Sequence, residues 1–121
     1  MKPNDNCWCP IIVKNSRLVE MLSYFRSTLG GITLFPFIFI RGEGDDRLIR
    51  HESIHILQYR ETLVIGFLFL YLWDFIHGLI KYRNYNDAYR SIRFEREAYG
   101  NELDEHYLEM REHYAWLKYN V

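Results

Sequence analysis

The segment His51-Glu52-Ser53-Ile54-His55 constrains the fold of this chain more than any other segment, because its two histidines can bind one metal ion together only if the segment is helical. Residues four positions apart lie on the same face of an α-helix, so both imidazoles can reach a single metal ion. Zinc suits such a pair of ligands. Glu52 lies beside them, where it can accept a proton from metal-bound water. The pattern predicts a metal site, and that site needs a third protein ligand.

The nearest acidic residue downstream is rejected as that ligand. Glu61 follows His55 by six positions, and Gln58 between them allows the helix to continue. At about 100° per residue, Glu61 then points well away from His55. The third ligand must therefore come from another part of the chain.

The later segment around Glu95 contains the better candidates. Ala98 follows Glu95 by three positions, and a small residue there lets two helices approach closely enough for Glu95 to reach the imidazoles. Glu102 lies two turns further along the same face and is the alternative ligand, whereas Glu97 points elsewhere. The other interpretation, a solvated row of carboxylates, stays open at this point.

The pair of motifs resembles the gluzincin zinc metallopeptidases, in which an H-E-x-x-H helix and a later glutamate helix share one zinc ion. The residues that carry the resemblance are His51, Glu52, His55, Glu95 and Ala98. It implies that His51, His55 and Glu95 bind zinc and that Glu52 is the general base. It is nearest to small bacterial and phage proteins with an H-E-x-x-H-x-x-Q start and an F-E-R-E-A-Y end.

The resemblance covers roughly residues 32–102 and departs from the family at one position. The family motif E-x-x-A-D ends in an aspartate that orients a ligand histidine, and Tyr99 stands there in this chain. Tyr99 or Gln58 is the candidate replacement. The resemblance also implies a peptide substrate lying antiparallel to an edge strand just upstream, where residues 32–40 stand.

Residues 32–40 are β-branched and aromatic, which predicts a strand. Pro36 cannot donate to a β-ladder, so it places this strand at an edge or a bulge. A free strand edge can pair with an extended peptide. The alternative is a short hairpin strand that only covers the core.

Helical spacing and capping residues predict a mainly α fold with a small β element, a minimal zincin-like domain. The run at residues 62–73 is apolar but stops at twelve residues, and Asp74 follows it. A spanning helix needs about 20 apolar residues, so a buried or interfacial helix is favoured. The predicted helices are 17–29 after Ser16, 47–61 after Asp45 or Asp46, 62–80, and 87–118 after Asn86 with a bend at Gly100.

Composition excludes several classes of protein. The 121 residues fit one domain, 1–121, with an irregular arm at residues 1–15 that ends in a short strand at Ile11, Ile12 and Val13. A net charge of −1 without a basic block argues against a nucleic-acid partner.

Two cysteines, Cys7 and Cys9, are too few for a disulfide framework and predict a cytoplasmic, reducing environment. This pair is interpreted either as a metal or inhibitory ligand or as ordinary thiols.

The predicted function is a zinc-dependent metallopeptidase that cleaves peptide bonds by Glu52-assisted attack of zinc-bound water on a peptide or protein substrate. The alternative is a catalytically inactive binding or membrane-surface module with a structural metal. Contact with a membrane surface through residues 62–83 is left open, as is the oligomeric state.

Overall fold

The computed structural model describes residues 11–22 and 30–119, which are mostly helical with one small sheet. This confirms the predicted fold class. The Cys7 and Cys9 pair, residues 23–29 of the first predicted helix and most of the arm lie outside the described residues. The strands are β1 (Ile11–Val13), β2 (Gly31–Leu34) and β3 (Phe37–Ile40). The helices are α1 (Arg17–Leu22), α2 (Asp46–Glu61), α3 (Ile65–Tyr82), α4 (Tyr85–Ser91), α5 (Arg93–Asn101) and α6 (Tyr107–Met110), followed by a 3₁₀ helix (Ala115–Lys118).

The segment predicted as one strand over residues 32–40 is a hairpin of two strands. β2 and β3 run antiparallel with Thr33 opposite Ile38, and β1 adds to β3 in parallel, giving the order β1-β3-β2. The prediction of a continuous strand is wrong because Pro36 lacks the N–H that a ladder needs, and the chain turns there. β2 is nevertheless an edge strand, since β3 is its only partner within the described residues.

Helix α2 begins with an aspartate cap and packs on the sheet. The Asp45 carboxylate accepts a hydrogen bond of 2.7 Å from the backbone N–H of Leu48, which identifies the capping residue between the two candidates. One side of the helix then packs through Ile56 on Ile38 and Ile40 of β3, and all three isoleucines are buried. This packing fixes which side of α2 is turned toward α5.

A second core cluster, mostly aromatic, joins α2, α3 and α5. Tyr59 stacks on Phe67 with ring centroids 3.8 Å apart, and Phe67 stacks on Phe94 at 4.6 Å. Ile92 and Trp116 complete the cluster. Full burial of a side chain of this size contributes roughly 1.5–3 kcal/mol. The cluster therefore holds the helices that carry the predicted metal ligands at a fixed spacing.

The prediction of one long helix over residues 87–118 is wrong, because the chain forms several short helices there. α5 begins anew at Arg93, whose backbone N–H donates to the Asp74 carboxylate of α3 at 3.2 Å. Asp74 is 1% exposed, and it also pairs with the Arg93 guanidinium at 2.7 Å. The new start depends on this cap from a distant helix, which local spacing cannot reveal. Gly100 lies inside α5 rather than at a break.

Helix α4 starts earlier than predicted and lies directly against α3. Asn84, not Asn86, is its cap, because the Asn84 side chain accepts a hydrogen bond of 3.1 Å from the backbone N–H of Asp87. Gly78 of α3 lies so close to Ala88 that an added Cβ would stand 2.9 Å from the Ala88 Cα. The glycine is what allows this approach.

Helix α3 is the one helix in the described part of the chain that is long and apolar enough to cross a membrane. Only 17% of its Ile65–Tyr82 window is buried inside the protein. The helix is therefore mostly exposed, and it is not the buried core helix that was one interpretation of residues 62–80.

Gly78→Ala is expected to lower the free energy of unfolding by about 1–3 kcal/mol, because overpacking forces two helices apart. Besides the Ala88 contact, the new Cβ would lie 2.6 Å from Ser91 Oγ. Urea unfolding followed by circular dichroism measures the change. The matched control is Gly100→Ala, whose Cβ meets nothing within 4 Å. That change should be neutral or stabilising by up to about 1 kcal/mol. Equal effects of the two substitutions would contradict the close α3–α4 contact.

Candidate metal centre

Helices α2 and α5 bring three potential metal ligands together. His51 and His55 lie one turn apart on α2, and Glu95 projects from α5 toward both rings. Their exposed fractions are 5%, 4% and 3%. One ligand atom from each of the three residues lies within 4.8 Å of the other two, and no other such group occurs among residues 11–22 and 30–119. We call these residues the ligand triad.

The two distances from Glu95 to the histidines match those between ligands of a tetrahedral zinc ion. Glu95 Oε1 lies 3.2 Å from His51 Nε2 and 3.3 Å from His55 Nε2. Ligand atoms about 2.0–2.1 Å from a tetrahedral zinc stand about 3.3–3.4 Å from one another. The Glu95 oxygen therefore stands from each histidine nitrogen at the distance that two ligand atoms of one zinc ion would have.

The second nitrogen of each ring is also held. His51 Nδ1 donates to Glu102 Oε2 at 2.7 Å, and His55 Nδ1 donates to Gln58 Oε1 at 2.7 Å. Histidines that bind metals almost always donate their other N–H to a carboxylate or carbonyl, which fixes the tautomer and the ring orientation. Both rings are thus oriented with Nε2 toward Glu95.

Glu102 and Tyr99 both contact the His51 ring. Glu102, the alternative ligand of the prediction, binds the far nitrogen of His51 from outside the ligand triad. It supplies the orienting carboxylate that the motif lacks at position 99. Tyr99 packs edge-on against the His51 ring, with centroids 4.5 Å apart. The sequence signal for the role of Glu102 was its position seven residues after Glu95, which places both on one helix face. The sequence analysis interpreted that position only as an alternative metal ligand.

The electrostatics of the site favour a positive charge beside Glu95. Burial lowers the pKa of His55, but the charge and hydrogen bond of Glu95 outweigh burial and raise that pKa to about 9. Burial raises the pKa of Glu95, but the His55 and His51 rings hold it below its usual range. A proton and a metal ion bind the same imidazole lone pair, so a cation bound there satisfies the same carboxylate. Tyr71 donates its hydroxyl to the other Glu95 oxygen at 2.7 Å.

Gln58 is held in place by a buried pair that the sequence did not reveal. Its Nε2 donates to Phe94 O and to Glu97 Oε1, both at 3.0 Å, so its Oε1 faces His55. Glu97 is fully buried and is paired with Arg111, whose Nε donates to Glu97 Oε2 at 2.6 Å. Glu97 does point away from the histidines, as predicted. It still acts on the site through Gln58, and nothing in the local spacing indicates that link.

Arg111 also ties the C-terminal segment to the end of α2. Its guanidinium forms two hydrogen bonds with Glu61, of 2.8 and 2.9 Å, and Trp116 Nε1 donates to the same carboxylate at 3.1 Å. Burial raises the pKa of Glu61, but the hydrogen bonds, chiefly those from Arg111, lower it below its usual value of 4.5. Glu61 is therefore an ionised partner of Arg111 and does not belong to the ligand triad. This agrees with the sequence analysis, which rejected Glu61 as a metal ligand.

Glu52 is positioned by the edge strand. The Thr33 hydroxyl donates to Glu52 Oε2 at 2.6 Å. A Cβ at Gly31 would lie 3.3 Å from the other oxygen, Oε1, so the glycine keeps that oxygen uncrowded. The carboxylate is 6% exposed and lies beside His55 on a cavity wall. It has the place that a general base for this site would need.

A cavity of about 510 Å³ opens next to the ligand triad. All of β2, Gly31–Leu34, forms one wall, and Glu52, His55 and Glu95 supply the ionisable groups. The remaining lining is apolar or aromatic and comes from Tyr59, Phe67, Leu68, Tyr71, Leu72, Phe75, Tyr85 and Tyr89. The cavity is therefore an apolar chamber with one charged end, and an edge strand runs along it.

Arg111→Met is expected to lower the free energy of unfolding by about 3–5 kcal/mol, because it leaves two buried carboxylates without their cation. The Arg111 side chain is 3% exposed, and those of its partners Glu61 and Glu97 are 9% and 0% exposed. Chemical denaturation at neutral pH measures the loss. The control Lys118→Met removes an ion pair whose side chains are 65% and 74% exposed, and should cost about 0.5 kcal/mol or less. A small effect of Arg111→Met would show that the cluster does not stabilise the fold.

Support for a function comes from this geometry and from the motifs. No family model, curated protein or solved structure matches the chain. The resemblance to gluzincins thus depends on the residues His51, Glu52, His55, Glu95 and Ala98 themselves. What the site does is accordingly a proposal.

Proposed function

We propose that this protein is a zinc-dependent hydrolase that cleaves peptide bonds. The observation that carries the proposal is the ligand triad: Glu95 lies within 3.3 Å of one nitrogen of His51 and of His55, and the far nitrogen of each imidazole is already held. Two further features support a catalytic role rather than a purely structural one.

The first is the number of ligands. Structural zinc sites are closed by four protein ligands, whereas catalytic sites have three and keep one position open. The ligand triad has three members, and the cavity lies beside it. A zinc ion bound there supplies Lewis acidity, which polarises a substrate carbonyl and lowers the pKa of water.

The second is the set of groups around the open side. In this proposal Glu52 takes a proton from the attacking water and passes it to the leaving amine. The Thr33 hydroxyl donates to one oxygen of Glu52, and the proposal assigns the proton to the other. Tyr71 donates to Glu95 and orients its carboxylate. Burial raises the pKa of Tyr71 well above its usual value, so its hydroxyl stays protonated and remains a donor.

The edge of β2 is the proposed seat of the substrate backbone. An edge strand can pair with an extended peptide through its backbone N–H and C=O groups. In β2 the Thr33 carbonyl already accepts a hydrogen bond from the Tyr59 hydroxyl, at 3.0 Å, so the proposed pairing uses the other backbone groups of this edge. Since Thr33 lies on β2 and binds Glu52, a peptide added to this edge would pass close to the general base. This retains the peptide-binding role proposed for residues 32–40, now assigned to Gly31–Leu34 alone.

The second candidate function is a non-catalytic module that keeps the metal for stability. It needs the ligand triad but has no use for Glu52, and it does not explain why a carboxylate is held at the cavity wall. The two experiments below separate the candidates.

The purified chain is expected to bind one zinc ion per molecule. His51→Ala, His55→Ala and Glu95→Ala should each lower zinc affinity by at least a hundredfold, because each removes one of three ligands. Competition with a chromophoric chelator measures the affinity. His77→Ala is the matched control, since His77 lies exposed on α3 away from the ligand triad. Loss of zinc in the control, or full retention in the three variants, would refute the site.

Glu52→Gln is expected to keep zinc and to lower peptide cleavage by about 10²–10⁴-fold, the usual contribution of a general base. Turnover of a mixed peptide library, followed by mass spectrometry, measures it. Glu112→Gln serves as the control, because its side chain is 74% exposed and pairs only with Lys118 in the described contacts. Undiminished cleavage in Glu52→Gln would rule out the mechanism. Zinc binding with no cleavage by the unmodified chain would favour the non-catalytic module.

A further inference from the structure

Helix α3 presents a broad apolar face that the rest of the described chain leaves uncovered. Six of its large apolar side chains are between 48% and 74% exposed: Leu68, Phe69, Leu72, Trp73, Ile76 and Ile80. At 100° per residue these positions fall within an arc of about 140°, wide enough to bury one side of a helix. We call them the apolar face of α3.

The charges around this face point to its occupant. The single carboxylate on α3, Asp74, is buried and paired with Arg93. The other charged residues at the C-terminal end, Lys81 and Arg83, are basic and exposed. A helix with a wide apolar face, flanking cations and no exposed acid fits a membrane surface with anionic headgroups, and Trp73 suits the interface. We propose that the protein docks on such a lipid surface through the apolar face of α3.

The helix lies on the membrane rather than across it. The side of α3 opposite the apolar face packs on the protein, with Gly78 against Ala88 of α4. That same side carries Asp74, whose bonds to Arg93 start α5. Spanning would draw α4 and the charged pair into the hydrocarbon, at a large cost for polar groups. An interfacial position buries the apolar face and leaves those contacts in place.

Docking in this way would bring one wall of the cavity to the lipid. Leu68 and Leu72 belong to the apolar face and also line the cavity. The cavity would then lie next to the peptide segments that the headgroup region holds. If the proposed hydrolase function holds, its substrate class is an apolar peptide segment at a membrane surface, with a bulky apolar side chain seated near Phe67 and Phe75.

Vesicle binding tests the docking without relying on catalysis. The unmodified chain is mixed with vesicles of phosphatidylcholine alone or with about a third phosphatidylserine, and sedimentation measures the bound fraction. Phe69→Ser combined with Ile76→Ser should weaken binding to the anionic vesicles at least tenfold. Leu103→Ser with Leu117→Ser is the control, since these leucines are 77% and 52% exposed but lie off α3. Zinc content and circular dichroism should be unchanged in both variants, which checks that they fold.

The charge requirement is tested on the same vesicles. Lys81→Gln and Arg83→Gln should each weaken binding to anionic vesicles about fivefold and leave the weaker binding to phosphatidylcholine unaffected. Trp73 emission should shift to the blue on binding. No sedimentation with either vesicle overturns the proposal, as does binding that Phe69→Ser with Ile76→Ser leaves intact. A stable dimer in buffer that Phe69→Ser with Ile76→Ser dissociates, with no vesicle binding, would assign this face to a second copy instead.

Cleavage of one apolar peptide, presented either in anionic vesicles or free in buffer, separates this inference from the proposed function. Faster Glu52-dependent cleavage in vesicles supports both. Equal Glu52-dependent cleavage in the two settings keeps the hydrolase but overturns the membrane substrate. Vesicle binding without any cleavage keeps the docking and overturns the hydrolase.

Discussion

The approach of Glu95 to two imidazoles is the interaction on which the rest of the site depends. A carboxylate that is 3% exposed loses most of its hydration, and it is tolerated only if it is paired and hydrogen-bonded. His51 and His55 supply that pairing through their Nε2 atoms, and Tyr71 supplies a further hydrogen bond. One ligand atom from each of the three residues thereby lies within 4.8 Å of the other two.

The same condition governs the other buried charges. Glu97 is completely buried and is matched by Arg111, and Asp74 is matched by Arg93. Each of these pairs also has a second structural role, since one holds Gln58 against His55 and the other provides the first hydrogen-bond acceptor of α5. A chain of this size thus joins its short helices largely through buried ion pairs and one aromatic cluster. The ligand triad takes its rigidity from both.

Interactions between residues that are close in the sequence could be predicted, whereas interactions between residues far apart in the sequence could not. The spacing of His51 and His55 predicted directly that both lie on one face of a helix, because four residues make about one turn. Glu95 was found from a second local motif, with Ala98 as its clue. The pairs Gln58–Glu97 and Asp74–Arg93 join positions 39 and 19 residues apart, so no periodicity within one helix could indicate them. The cap from Asp74 is also the reason why a new helix starts at Arg93 within the predicted helix over residues 87–118. Pro36 divided the predicted strand because it lacks a backbone N–H. The sequence analysis used that property only to place the strand at an edge or a bulge, and not to divide it.

The most direct test of the ligand triad as a zinc site is a crystal structure of the zinc-loaded protein with anomalous diffraction recorded at the zinc absorption edge. One strong anomalous peak per chain is expected, about 2.0–2.2 Å from His51 Nε2, His55 Nε2 and an oxygen of Glu95. The side facing the cavity should be open to water. A zinc peak elsewhere, or ligand-triad side chains that point apart around an empty centre, would contradict it.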